Sequence, residues 1–247
     1  MDGFNFARKL FHWIGFFVPA VLFFDLFKDV GGLVYSSRAI LLCVILLIIF
    51  FMGSIEFFRL HHSGFNEFYL SWFGSLMKEA EKNRMNGVIP YMLSNAIIVA
   101  FFPAQIIFLS VAFLLVGDPF AAYFGSKYGK YRFYNGKSLV GVVSFILASS
   151  LAGLLLMFIF QKTYGESYFS FYKSGSFHFL GFFIIILGAI SAALAEFFSG
   201  HALGGLLEDN LLIPVVSSLV LALLAIFFQE IPQDQVFFPI QNLFLKK

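Results

Sequence analysis

Asp118, Ala121, Ala122, Gly125 and Gly129 fall on one face of a helix, and that face is nearly smooth with a carboxylate at one end. Lys127, Lys130, Arg132 and Lys137 follow within a short loop, and Ser138 and Gly141 come directly after. Small residues let backbone approach a ligand closely, and the cations can neutralise phosphates. Asp118 could hold a magnesium ion, which takes one or two carboxylates and fills its shell with phosphate oxygens. The competing reading is packing and topology. Gly125-x-x-x-Gly129 is a common membrane packing motif, and basic loops are ordinary topology signals. Asp118 together with the second glycine-lysine pair, Gly136-Lys137, favours a nucleotide site.

Two further clusters carry charge. Glu196 ends an apolar run along a stripe of Gly188, Ala192 and Ala195, and Glu208-Asp209-Asn210 opens the next run ahead of Pro214. The simple reading of Asp209 is a helix N-cap. Three acidic groups at facing helix ends exceed what a cap requires, and they could complete a cation site with Asp118. The last cluster is Arg8-Lys9-x-x-His12 with Glu56-x-x-Arg59 and Lys78-x-x-Glu81. Taken singly, these read as membrane-edge anchors or surface ion pairs worth little. His12 reads as a hydrogen-bonded interfacial histidine. The adjacent His61 and His62 point different ways on any regular element, which argues against a shared metal.

These groups must be positioned by a membrane scaffold. The chain of 247 residues is 60% hydrophobic and 12% charged, about half the charge of a soluble domain. Its mean hydropathy is +0.88. A soluble chain this apolar could not cover its surface with polar groups. A spanning helix needs about 20 mostly apolar residues, and the sequence predicts such segments at 10–27, 39–57, 88–102, 103–124, 138–160, 177–199 and 209–229. The expected fold is therefore all-α, a polytopic transmembrane bundle of about seven spans, with residues 1–247 forming a single integral membrane domain. The run after Arg8-Lys9 continues apolar past Pro19 without a convincing small-residue cleavage site, so it is expected to be a span rather than a signal peptide. Phe102-Pro103 joins two spans without a polar loop and reads as a tight hairpin or a kink. Between the second and third spans, Phe68, Tyr69, Trp72, Phe73, Leu76 and Met77 recur at helical spacing ahead of a charged run. They predict an amphipathic helix over 66–82 in the membrane interface.

Cys43 is the single cysteine, which leaves no intramolecular disulfide and no thiolate metal cluster. The net charge of +2 argues against a nucleic-acid partner. Alternating seven spans puts ten Lys and Arg (residues 8, 9, 59, 78, 82, 84, 127, 130, 132 and 137) on one side and six (residues 28, 38, 162, 173, 246 and 247) on the other. The richer side, which also carries the polar clusters, is expected to be cytoplasmic.

In this order the residues resemble the CTP-dependent lipid kinases: dolichol kinase, phytol kinase and the yeast-type diacylglycerol kinase. That family carries Asp-x-x-Ala-x-x-x-Gly-x-x-x-Gly, then Lys-Ser or Lys-Thr and a glycine. These are matched by Asp118, Ala121, Gly125, Gly129, Lys137, Ser138 and Gly141. A late acidic residue followed by Asp-Asn-x-x-x-Pro is matched by Glu196 and by Asp209, Asn210 and Pro214. Arg8-Lys9-x-x-His12 matches the family's opening, and Lys78-Glu79-Ala80-Glu81 with Asn86-Gly87-Val88 resembles its middle segment. Val140 and Gly136 depart from the dolichol kinase pattern, and the middle segment leans toward diacylglycerol kinase. CDP-diacylglycerol synthase has a similar front end and also uses CTP, but its Pro-Gly-His-Gly-Gly ending has no counterpart here.

The resemblance implies transfer of the γ-phosphoryl group of CTP to a lipid alcohol in a multi-pass protein of a bacterial inner membrane or the endoplasmic reticulum. Lys130 and Lys137 are expected on the phosphates, with Gly125, Gly129, Ser138 and Gly141 shaping the cradle. Asp118 and Asp209, with Glu196, are expected to hold Mg²⁺, and one of them could instead accept the hydroxyl proton. A transporter or a non-catalytic scaffold is the rival from another class. A transporter places polar residues near mid-span, whereas here they gather at one edge.

Overall fold

A computed structural model describes residues 13–77, 79–133, 135–200 and 202–247. It is an all-α bundle in which the described residues form one two-stranded hairpin, β1 (Tyr172–Lys173) with β2 (Ser176–Phe177). The helices are α1 (Trp13–Phe23), α2 (Ser36–His61), α3 (Ser63–Phe73), α4 (Val88–Phe101), α5 (Ala104–Tyr128), α6 (Leu139–Tyr164), α7 (Phe179–Phe198) and α8 (Asp209–Gln229). Five of them, α2 and α5 to α8, are long and apolar enough to cross a membrane. Among the described residues, α1 and α4 are shorter apolar helices of 10 to 17 residues at the places of the first and third expected spans. The chain leaves helical geometry just after α1, where Asp25 and Asp29 adopt positive φ. Pro103 limits α4 from the other end: it has no N–H to offer the carbonyl of Val99.

Phe102 and Pro103 are both extended, and α5 starts at Ala104. The connection is a hairpin rather than a kink. Contacts at the two ends of the bundle show successive helices running in alternating directions. Glu56 of α2 meets Asn86 ahead of α4, and Lys137 ahead of α6 meets Glu196 at the end of α7. At the opposite end, Arg38 of α2 donates to the carbonyls of Val99 and Phe102. The segments 58–87, 125–137 and 200–208 therefore share one end, as alternation of the spans requires.

α5 is the most buried of the five long helices and α2 the least, so α5 forms the axis around which the others pack. Phe113, Phe145, Ile184, Ile185 and Leu221 are fully buried around it. The small stripe on α7 is a packing surface: a Cβ at Gly188 would stand 2.5 Å from Leu221. A π-turn over Phe113–Gly117 interrupts α5 immediately before Asp118-Pro119. The wide turn accommodates a proline that can neither donate to the preceding turn nor tolerate its carbonyl closely. π-Turns often mark functional positions.

The interfacial helix is shorter than expected. α3 ends at Phe73, and two short 3₁₀ turns follow, Gly74–Leu76 and Glu79–Asn83. The backbone carbonyls of Glu81, Lys82 and Arg84 turn to Arg59 instead of continuing a helix. Phe68 and Trp72 on α3 are exposed, as an element lying in a membrane interface requires.

Arg38, buried beside the ring of Phe238, supplies the hydrogen bonds that Pro103 withholds from the end of α4. Replacing it with methionine leaves those carbonyls unpaired. We expect Arg38→Met to cost about 2 kcal/mol of stability. The measurement is unfolding in detergent, and the activity per folded molecule should stay unchanged because the site lies at the other end.

Candidate active site

The end of the bundle that gathers the polar segments contains a cleft of about 170 Å³. Its lining includes Asp118, Gly125, Arg132, Lys137, Ser138, Gly141 and Glu196. Pockets that enclose a whole drug-sized ligand run from roughly 300 to 1,000 Å³, so this cleft has room for the phosphate end of a nucleotide and leaves the remainder outside. Asp118 enters from α5, just after the π-turn. Lys137 enters from the loop between α5 and α6, and Glu196 from the last turn of α7.

The loop is folded tightly enough to aim its cations. Phe133 N–H donates to the carbonyl of Lys137 at 2.8 Å, Gly136 N–H to that of Phe133 at 2.8 Å, and Gly136 takes φ +77°. Arg132 Nη1 donates to the carbonyl of Gly136 at 2.8 Å, which holds its guanidinium at the cleft wall. Asn135 ties the loop to the end of α7 through the carbonyl of Phe197. Lys137 Nζ lies 2.9 Å from Glu196 Oε1 and donates to Ser199 Oγ at 3.0 Å and to the carbonyl of Glu196. The carboxylates of Asp118 and Asp209 both act electrostatically on Glu196. The three predicted acids thus share one electrostatic neighbourhood around one lysine, with Asp118 and Glu196 in the cleft wall.

The glycines serve packing and the cleft together. A Cβ on Gly125 would stand 3.3 Å from the Cα of Gly141, where α5 crosses the start of α6. A Cβ on Gly129 would collide with Ser138 Oγ and the carbonyl of Gly125. Gly129 therefore shapes the crossing without lining the cleft. Ser138 is the N-cap of α6, its Oγ accepting from Gly141 N–H at 3.2 Å, which is a structural use of its hydroxyl. The capped N-terminus of α6 borders the cleft, and a helix N-terminus favours an anion. Lys130 is exposed and does not line the cleft; among the loop cations, Arg132 joins Lys137 there. Asp209 is the first residue of α8 rather than its cap, since Glu208 holds the cap position.

A second polar centre lies behind this one, and single motifs did not reveal it. Glu56 and Arg59 are a buried pair rather than a surface one, with side chains 4% and 0% exposed. Arg59 Nε and Nη2 donate to Glu56 at 2.8 and 2.7 Å. Asn86 donates to the same carboxylate from its side chain and its backbone. Tyr69 of α3 closes the group, with Arg59 5.7 Å from its ring centre. Burial, then Glu56, raises the Tyr69 phenol above its ordinary range, and Arg59 opposes them. The available sequence signal was Glu and Arg three residues apart at the end of an apolar span, where burial rather than solvation is the cheaper assumption. Arg8, Lys9, His12 and Lys78, which the sequence also singles out, lie outside the described residues.

Among the described residues, no three His, Cys, Asp or Glu side chains stand together at metal-binding spacing. A cation that brings its own phosphate oxygens needs only one or two protein carboxylates, and Asp118 with Glu196 meets that lesser requirement.

Comparison with known proteins agrees with the pattern. No family model matches the chain, and no solved structure does. Over 168 residues it is 31% identical to CTP-dependent diacylglycerol kinase 1 of Schizosaccharomyces pombe, covering 67% of this chain and 72% of that protein. It is 29% identical over 221 residues to the protein of the same name from Saccharomyces cerevisiae, covering 86% and 70%. An uncharacterized protein of Rickettsia prowazekii is 26% identical over 211 residues, covering 84% of this chain and 88% of that one. With its Asp118–Gly141 cleft at one end of a polytopic bundle, the chain belongs to the CTP-dependent diacylglycerol kinase family of membrane lipid kinases.

Proposed function

We propose that this protein transfers the γ-phosphoryl group of CTP to the hydroxyl of diacylglycerol, giving phosphatidate and CDP at the cytoplasmic face of its membrane. The whole chain acts as one catalytic domain. The observation that carries the reading is the cleft itself, where Asp118 and Glu196 face Lys137 and Arg132 beside the N-terminus of α6. Such a site suits a polyanion that carries a divalent cation. Phosphoryl transfer asks little covalent chemistry of the protein and depends on positioning and charge neutralisation.

In this reading Arg132, Lys137 and the α6 N-terminus receive the phosphates. Asp118 and Glu196 would hold Mg²⁺, which when bound would neutralise phosphate charge. The lipid hydroxyl oxygen forms a bond to the γ-phosphorus in line with the bridging oxygen of CDP, whose bond breaks. Asp209, the first residue of α8 and within electrostatic reach of Glu196, takes the hydroxyl proton. The exposed aromatic face of α3 seats that end of the bundle in the interface, where the head group of diacylglycerol resides. The choice of diacylglycerol over phytol or a polyprenol follows the printed names of the relatives.

The decisive assay incubates purified protein in nanodiscs with γ-labelled CTP, Mg²⁺ and diacylglycerol, phytol or a polyprenol. Label in a lipid phosphate, strongest with diacylglycerol, is the expected result. Release of labelled pyrophosphate with a cytidylylated lipid would replace the kinase reading by a cytidylyltransferase one. In the same assay Asp118→Asn should lower kcat by at least about 100-fold without loss of folded protein. Near-normal turnover would remove Asp118 from the chemistry.

The cations give a second prediction. Arg132→Ala should raise the KM for CTP about tenfold, while Lys130→Ala stays within about twofold of the parent. Initial rates against CTP concentration distinguish them, and the reverse ranking would contradict the cleft as the phosphate site.

A further inference from the structure

Arg59 is 1% exposed and lies outside the phosphate cleft, so a charge has been buried where the transfer chemistry does not call for one. Burying it costs several kcal/mol before its partners compensate. Beyond its fork to Glu56, its Nη atoms collect the carbonyls of Glu81, Lys82 and Arg84, at 3.1 and 2.8 Å for the first two. Three carbonyls from one short segment converge on a single guanidinium, which fixes the course of residues 81–84.

That segment is joined in turn to the connection between α7 and α8. Met85 N–H donates to the carbonyl of Gly204 at 3.3 Å. Gly205, at φ +103°, brings its Cα side to the carbonyl of Met85, where a Cβ would stand 3.3 Å away. Asn210 Nδ2 donates to the carbonyl of Gly87 at 3.3 Å and to Glu208 Oε1 at 2.8 Å. Asp209 lies between those two residues, and its Oδ1 accepts from Asn210 N–H at 2.9 Å. A continuous set of contacts thus runs from the guanidinium on α2 to the first residue of α8.

We propose that Arg59, fixed by Glu56, is a positioning residue for Asp209: it holds the 81–87 segment on which the start of α8 is seated, and so fixes where the Asp209 carboxylate sits. The inference rests on the kinase reading above and adds to it a unit remote from the phosphates. Gly87 is the point where the chain of contacts is narrowest. A Cβ there would stand 2.6 Å from Asn210 Nδ2 and 2.8 Å from Glu208 Oε1, so a single methyl group forces the side chains that seat the start of α8 to shift without touching the cleft.

The test compares the parent, Gly87→Ala and Arg59→Lys in nanodiscs, with the rate of labelled lipid phosphate formation expressed per CTP-binding site. CTP sites are counted by equilibrium binding, and thermal midpoints are recorded alongside. Displaced reacting groups lower the rate steeply, so Gly87→Ala should lose about 10- to 100-fold in rate per site. CTP affinity should stay within about twofold, and Arg59→Lys, which keeps the charge but loses the fork, should follow the same split. A merely structural role predicts the opposite split, with fewer CTP sites and a lower midpoint but a parental rate per remaining site. That outcome, or a parental rate in Gly87→Ala, overturns the proposal. If Arg59→Lys does not fold, Gly87→Ala decides alone. A parent inactive toward every lipid overturns the kinase reading, and the positioning role with it. An active parent with an indifferent Gly87→Ala overturns the positioning role only.

Discussion

One guanidinium sealed from water organises the polar end of this bundle. Arg59 pairs with Glu56 in a fork of two short hydrogen bonds and then turns to backbone carbonyls that no helix satisfies. Without those carbonyls the ion pair would carry a desolvation cost with little return. Without the guanidinium the Lys82 and Arg84 carbonyls would lose the partner it gives them. Each side makes the other tolerable, which is why an irregular stretch can run between α3 and α4 close to membrane depth. The same logic recurs at the opposite end, where Arg38 answers the carbonyls exposed by Pro103.

Around this centre the bundle separates its two tasks. The long apolar helices expose Phe, Leu and Ile to lipid and pack small residues inward, as at Gly188 against Leu221. The charged groups of the cleft gather where the second half of α5, the loop ahead of α6 and the end of α7 meet. Lys137 meets the end of α7, where carbonyls and the helix dipole favour a cation, and its ion pair with Glu196 closes one side of the cleft. The beginning of α6 offers the opposite polarity on the other side. A cleft bordered by both kinds of helix end suits an anion with its counter-cation, and phosphoryl transfer uses that combination.

Much of this was legible from residue types and spacing. Long runs of apolar residues announce spanning helices because lipid leaves the backbone no partner outside the segment. The Asp118–Gly129 face and the Gly136-Lys137-Ser138 turn are local in sequence, and local spacing decides which residues share a helix face. Helix packing and a nucleotide cradle were competing readings of the glycines, and both uses are visible: Gly125 lets α5 approach Gly141 while it lines the cleft. Lys130 and Arg132 were harder to separate, since a basic loop does not disclose which side chain its turn aims inward. The hydrogen bond from Arg132 to Gly136 is what distinguishes them.

By itself the sequence determined the membrane, the all-α class, the sorting of charge to one end and the motif residues of the cleft. Each of these depends on hydropathy or on positions within a turn or two of one another. Tertiary structure decided what depends on distant segments meeting. It showed that Glu56 and Arg59 are buried rather than solvated, that 81–87 abandons the helix to satisfy Arg59, and that Asn210 seats on Gly87 from 123 residues away. It also showed that α1 and α4 are shorter than the other apolar helices, α4 ending ahead of Pro103 and α1 ahead of two aspartates in positive φ. Whether an ion pair is worth little or much is set by its burial, and burial belongs to the assembled fold.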